Sequence, residues 1–426
     1  MKKKVILVAP ILTQTGYGEH ARFIFRALKS KEDLFDIYIQ AINWGNTGWI
    51  WEDSEERRQI DAIIGKTVAH MQQGGTFDMS LLITIPQEWP HYRQNIPAHE
   101  TIGITAGIES SRISHTWVRS SNAVNKIIFT SEFSKKIFEQ SSYMHQDQNE
   151  NTMVDKVNVP IEVINYPVKH YEKVDLGIEF PTDFNFLVIA QWGIRKNIEN
   201  TVRWFVEEFI DQDVGLVVKT GKLGGSQQDK EMTGNALSSL LKEYPNRKCK
   251  VYLLHGYVSD AEIHSLYVHP KIKALISLSH GEGFGLPLFE AAYSGLPIIT
   301  HDWGGQTDFL NMEKKDKKGK MKLRSFYTKV EYDLNPIQDE AVWADVLIKD
   351  SSWAFPKQGS FKMKLRELKK SYVHKKSQAT KLKKHLQKNF SAEVQYEKVV
   401  SAICDKEYME MAQWFEELAE EVVEVA

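Results

Sequence analysis

SHGEGFGLPLFEAAYSGLPIIT, residues Ser279–Thr300, is the stretch on which the reading of this 426-residue chain turns. An apolar run, Ala274–Ser279, is expected as a strand ending in a loop that holds Gly281, Gly283 and Gly285. A helix is expected from Leu286 or Pro287, because proline suits a first helical turn. Glycines let backbone N–H groups approach a ligand closely, and a helix N-terminus adds about half a positive charge. Together they make an anion site suited to phosphate. Two carboxylates bracket the loop, Glu282 within it and Glu290 eight residues on. A carboxylate repels phosphate but accepts hydrogen bonds from sugar hydroxyls, so the pattern suits a sugar nucleotide.

Outward from this stretch, strand-like and helix-like segments alternate. Val5–Ala9, Phe35–Ile42, Ser80–Ile85, Thr101–Thr105 and Lys126–Thr130 read as strands, Glu19–Lys29 and Glu132–Gln140 as helices, the latter with Ser131 as N-cap. Gln146–Val154 reads as a polar surface loop and Val163–Val168 as a last strand running into a proline break. The alternation restarts with strands Phe184–Gln191, Val214–Lys219 and Val251–His255 and an amphipathic helix Ile198–Phe209. Short continuous apolar runs are the mark of parallel strands buried on both faces. The expected class is α/β, two Rossmann-like doubly wound domains whose ligand sits at the carboxyl ends of the strands. The expected division is an N-terminal domain over 1–168, a linker over 169–182, a second domain over 183–395 and a C-terminal helix over 396–426, amphipathic through Met411, Trp414, Phe415, Leu418 and Val422.

Composition narrows the function. A net charge of −2 excludes a globally basic nucleic-acid protein, and two cysteines exclude a disulfide scaffold. The apolar run after Lys2–Lys4 is too short for a signal peptide, and the expected location is cytoplasmic. Gly16–Ala21 fits G-x-G-x-x-A, but six residues separate Ala9 from Gly16 and no acid ends the second strand, which weakens a dinucleotide reading. Lys219–Lys222 (KTGK) lacks P-loop spacing.

The segment Glu282–Glu290 resembles the E-x7-E motif of retaining GT-B glycosyltransferases, most closely glycosyltransferase family 4. The resemblance implies a GT-B fold facing a central cleft and transfer from a nucleoside diphosphate sugar, UDP- or GDP-linked, to a hydroxyl, with neither cofactor nor metal. It implies catalytic roles for Glu282 on the donor sugar, Glu290 on the ribose, Lys196 on the diphosphate, and Glu109 on the acceptor or donor sugar. It implies donor contacts at Gly16, Gly18, Gln191, Arg195, Lys219, Gly256, Tyr257, Val258, Gly283, Phe284, Gly285 and Leu286. Gln191 stands where the family usually has an arginine, and Arg195 is the candidate substitute. The pair Gly304-Gly305 is expected to flank the donor. The implied mechanism is front-face attack, in which positioning and charge stabilisation dominate.

The acceptor is less defined. Trp44, Trp49 and Trp51 could stack on a sugar or a base, or simply pack. Lys357–Lys388 holds twelve basic residues and one acidic one, a face for DNA, anionic lipid or solvent. Acceptors left open are a glycan, a glycolipid or hydroxylated DNA bases. The non-transferase alternative is a nucleotide-sugar-binding protein that has lost catalysis.

Overall fold

The apolar runs form two parallel sheets. The computed structural model describes residues 2–404 apart from 46, 147–151 and 317, together with 408, 410, 411 and 414. The first sheet contains β1 (Lys3–Ala9), β2 (Phe35–Ala41), β3 (Phe77–Ile83), β4 (Ala98–Thr105), β5 (Lys126–Phe129) and β6 (Ile161–Val163). Their order is β2-β1-β3-β4-β5-β6, with every pairing parallel. The second sheet contains β7 (Asn185–Ile189), β8 (Gly215–Lys219), β9 (Lys250–Leu254), β10 (Ile272–Ile276), β11 (Ile298–Thr300) and β12 (Thr328–Lys329). Its order is β9-β8-β7-β10-β11-β12, again all parallel. Both are doubly wound, and in each the order reverses beside the first strand, where a crevice opens.

One core joins the sheets. Val5 and Leu7 of β1, Leu187 of β7, Leu275 of β10, and Phe284, Phe289 and Leu386 belong to a single buried cluster. The helix Gly16–Lys29 buries Phe23, Ile24, Ala27 and Leu28. The helix Ala392–Ile403 lies across it, with Tyr396 beside Phe23 and Val399 fully buried. Tyr408 extends this contact, accepting from Lys3 N and donating to Leu34 O.

Two expectations change. Of the loop expected over Gln146–Val154, residues 147–151 lie outside the described residues, and both its ends are strand, Ser142–Gln146 pairing antiparallel with Thr152–Lys156, because alternation in Ser142–Gln146 outweighs local polarity. The sixth strand ends at Val163, since Pro167 has no N–H to donate and the chain turns into the seam, where Val168 N donates to Phe390 O. The basic run forms two helices, Gln358–Lys370 and Tyr372–Asn389, and much of its charge is paired. Lys362 meets Glu207, Arg366 meets Glu208, and Lys364 and Lys375 meet Glu367. The amphipathic helix expected over Asp405–Ala426 lies largely outside the described residues. Among the described residues no helix is long and apolar enough to cross a membrane.

If the helix Ala392–Ile403 holds the first domain through its buried face, Val399→Asp should destabilise the protein by about 3 kcal/mol or more, whereas exposed Glu397→Ala should stay within about 0.5 kcal/mol. Denaturant melts of the two variants check the contrast.

Candidate active site in the interdomain cleft

The order reversal of the second sheet separates the loop after β7, which carries Arg195 and Lys196, from the loop after β10, which carries Glu282. Lys196 Nζ donates to Glu282 Oε1 at 2.6 Å. Arg195 Nη1 donates to Gly281 O at 2.8 Å and lies 3.6 Å from Glu282 Oε2. The same guanidinium reaches across the cleft to Glu109 Oε1 at 3.2 Å. Glu109 comes from the irregular segment after β4, so it is not an acid at a helix start but half of an interdomain ion pair. The site thus sets two cations against two carboxylates. Burial pushes the Glu282 carboxyl up, but Lys196 and Arg195 outweigh it and hold it below the ordinary glutamate range. Burial and the neighbouring Arg195 push the Lys196 ammonium below the ordinary lysine value, against the pull of Glu282.

The loop glycines meet a steric demand within the protein itself. A Cβ on Gly283 would lie 2.6 Å from Ala106 O, and one on Gly281 would collide with Glu109 O. Two backbones from opposite domains therefore meet without side chains between them. Ser131 Oγ, capping its own helix, also donates to Gly283 O at 2.6 Å. Gly285 has φ +91° at the N-cap of the helix Leu286–Ser294, a conformation that favours glycine. The pair expected to flank the donor, Gly304-Gly305, packs behind the loop, where Gly305 N donates to Glu282 O at 2.8 Å. A Cβ on Gly305 would strike Gly283 O. Gly16 opens its helix near Leu286, and Phe284 packs against Tyr166, with ring centroids 4.9 Å apart. Gly18 is pressed on Thr13, which explains its lack of a side chain.

Glu290 occupies a second patch, separate from the Lys196 pair. Tyr267 OH donates to its Oε2 at 2.9 Å, and Tyr171, Tyr293 and Asp260 line the same small pocket. Burial pushes its carboxyl up to about 7. Lys219 Nζ, at the end of β8, donates to Gly256 O at 2.7 Å. Gly256 has φ +92°, and Val258 is half-buried. Tyr257 donates to Glu52 Oε1 of the other domain at 2.6 Å and meets Trp51 edge-on. Trp51 and Trp49 are exposed, whereas Trp44 lies against Tyr17, centroids 4.6 Å apart. Gln191 is exposed at the end of β7.

Sequence reasoning missed several supports. Asp229 accepts from Lys222 N and Gly225 N and meets His255 Nε2 at 3.0 Å, which shapes the KTGK turn. Tyr267 and Glu52 gave no signal of their own in the sequence. His280 is a packing residue, stacked on Trp353 with Nδ1 2.6 Å from Ala354 O.

Comparison with known proteins bears on this geometry. Residues 182–319 match the family model of glycosyl transferases group 1. The Escherichia coli serotype-specific mannosyltransferase WbdA is 33% identical over 119 residues, 28% of this chain and 13% of that protein. The UDP-N-acetylglucosamine–peptide N-acetylglucosaminyltransferase GtfA subunit of Streptococcus pneumoniae is 27% identical over 150 residues, 34% of this chain and 26% of that subunit. The chain thus spans about an eighth to a quarter of the length of these curated relatives. A glycosyltransferase from Rickettsia africae superimposes with a TM-score of 0.61 at 14% identity, covering 96% of this chain and 99% of that one. A sucrose-phosphate synthase from Thermosynechococcus elongatus gives 0.61 at 13%, covering 98% and 100%. Anabaena HepE in complex with UDP and glucose gives 0.56 at 12%, covering 94% and 99%. The fold is GT-B.

The burial of Glu290 has a pH signature. Its folded carboxyl titrates near 7 against 4.5 in an unfolded chain, so stability is lost as pH rises through that window. Glu290→Gln, whose amide oxygen can still accept from Tyr267, should be more stable than wild type by on the order of 2 kcal/mol at pH 8, with the gain fading as pH falls from about 7 to ~4.5. Melts across pH check both sign and window.

Proposed function

We propose that this chain, with a group 1 glycosyl transferase signature on a GT-B fold, transfers a sugar from a nucleoside diphosphate sugar to an acceptor hydroxyl with retention at the anomeric carbon. The observation that carries the reading is the pair of carboxylates eight residues apart on one strand–loop–helix, the first held 2.6 Å from Lys196 in the crevice where the strand order reverses.

In this reading Lys196, Arg195 and the N-terminus of the Leu286 helix face the diphosphate. Its negative charge draws both cations and leaves Glu282 and Glu109 to accept hydrogen bonds from the sugar hydroxyls. Glu290 binds the ribose, and the turn Gly256–Val258 borders the base. The acceptor enters from the first domain, near Tyr17 and the three tryptophans. As the bond from the anomeric carbon to the acceptor oxygen forms, the bond to the phosphate oxygen breaks and the acceptor proton passes to the leaving diphosphate. The protein contributes position and stabilised charge, and no metal enters the scheme. A glycan or glycolipid acceptor fits this reading. A DNA acceptor draws less support, since four cations of the basic helices, Lys362, Lys364, Arg366 and Lys375, are paired with Glu207, Glu208 and Glu367.

A thermal-shift screen against UDP- and GDP-sugars should find one donor that stabilises the wild type, and that donor should be consumed when glycan or lipid acceptors are added. Lys196→Ala should then lower kcat/KM by about 100-fold or more. A donor-induced shift without turnover would establish the binding-protein alternative. Unchanged turnover in Lys196→Ala would overturn the site assignment.

A further inference from the structure

Away from the cleft, the fold gathers three metal-ligating side chains that sequence spacing keeps apart. His115 opens the helix His115–Ser121, His145 lies on the strand Ser142–Gln146, and Asp155 lies on its partner Thr152–Lys156. In the hairpin register Tyr143 pairs with Asp155 and His145 with Met153, so Asp155 and His145 share one face. His115 Nε2 is 2.5 Å from Asp155 Oδ2, and His145 Nδ1 is 3.8 Å from the same oxygen. One donor atom from each residue lies within 4.8 Å of the other two. His145 Nδ1 is buried and has no hydrogen-bond partner. A buried acceptor or donor left unpaired is costly, and a bound ion is one way to satisfy it.

We propose that His115, His145 and Asp155 form a divalent transition-metal site suited to zinc, which clips the hairpin Ser142–Lys156 to the helix His115–Ser121. Two imidazoles and one carboxylate are a set that zinc takes at about 2.0–2.2 Å, with a fourth position left to water. Tetrahedral bonds of that length put donors about 3.3 Å apart. The observed spacings bracket this value, so side-chain rotation alone brings the atoms into place. The surroundings fix the ligands. Tyr143 stacks on His115 with centroids 4.9 Å apart, and Arg112 lies over the Tyr143 ring at 4.1 Å. Arg119 Nε, 3.1 Å from Asp155 Oδ2, is a cation that opposes a metal at this oxygen. A carboxylate offers about four lone-pair sites, enough for both.

The test uses the full chain stripped with a chelator and titrated with zinc or cobalt(II) chloride. The wild type should take up one equivalent, and the cobalt form should show the visible bands of a four-coordinate ion. His115→Ala and His145→Gln should each weaken uptake at least tenfold, since even supporting residues around a metal cost that much. His91→Gln, on a helix away from the cluster, should bind as wild type does. No stoichiometric uptake by the wild type, or undiminished uptake in both histidine variants, overturns the proposal. Should the variants fail to fold, mass spectrometry of diethyl pyrocarbonate-treated wild type decides. Zinc should protect His115 and His145, and unprotected imidazoles would sink the idea.

Discussion

The contact on which the site depends is backbone against backbone. Gly281 and Gly283 of the second domain lie on the carbonyls of Glu109 and Ala106 in the first, and Gly305 closes on Gly283 from behind. Any side chain at these three points would wedge the loops apart. The small separation they permit lets Arg195 span from Glu282 to Glu109 and lets Ser131 hold Gly283. The interdomain geometry and the charge constellation therefore have a common steric cause.

Electrostatics then divides the two motif carboxylates. Glu282, within reach of a lysine and an arginine, is held ionised. Glu290, one helix turn away and among tyrosines, is pushed toward neutrality by burial. Identical side chains in one nine-residue motif thus meet opposite environments, which fits two different hydroxyl-binding tasks better than a shared one.

Much of the architecture was legible in the sequence because parallel strands leave short, wholly apolar runs; Val5–Ala9 is buried at every position. The helix Glu132–Gln140 and its Ser131 cap are found where the spacing places them. Arg195 and Lys196, adjacent in sequence, and Glu282, in the glycine loop, were each legible from their own motif, but their meeting is the work of the fold. What escaped is what only the fold brings together. The hairpin after Ser142 hides in a polar stretch, Tyr267 and Glu52 have no local signature, and His115, His145 and Asp155 are separated by whole elements. The meaning of the glycines was half legible. Their number pointed to a close approach, and one group that approaches is the other domain's backbone, which carries no sequence signal.

The return of the chain to its beginning also sets an order of events during synthesis. Phe23 and Leu28 emerge long before Tyr396 and Val399, which cover their helix. At about 5–20 residues per second, that interval is tens of seconds. Throughout it the first sheet can pair its strands, but the apolar outer face of its first helix stays uncovered. Nascent chains of this protein therefore carry an adhesive surface that only late translation removes, which makes the early domain a natural client for chaperones.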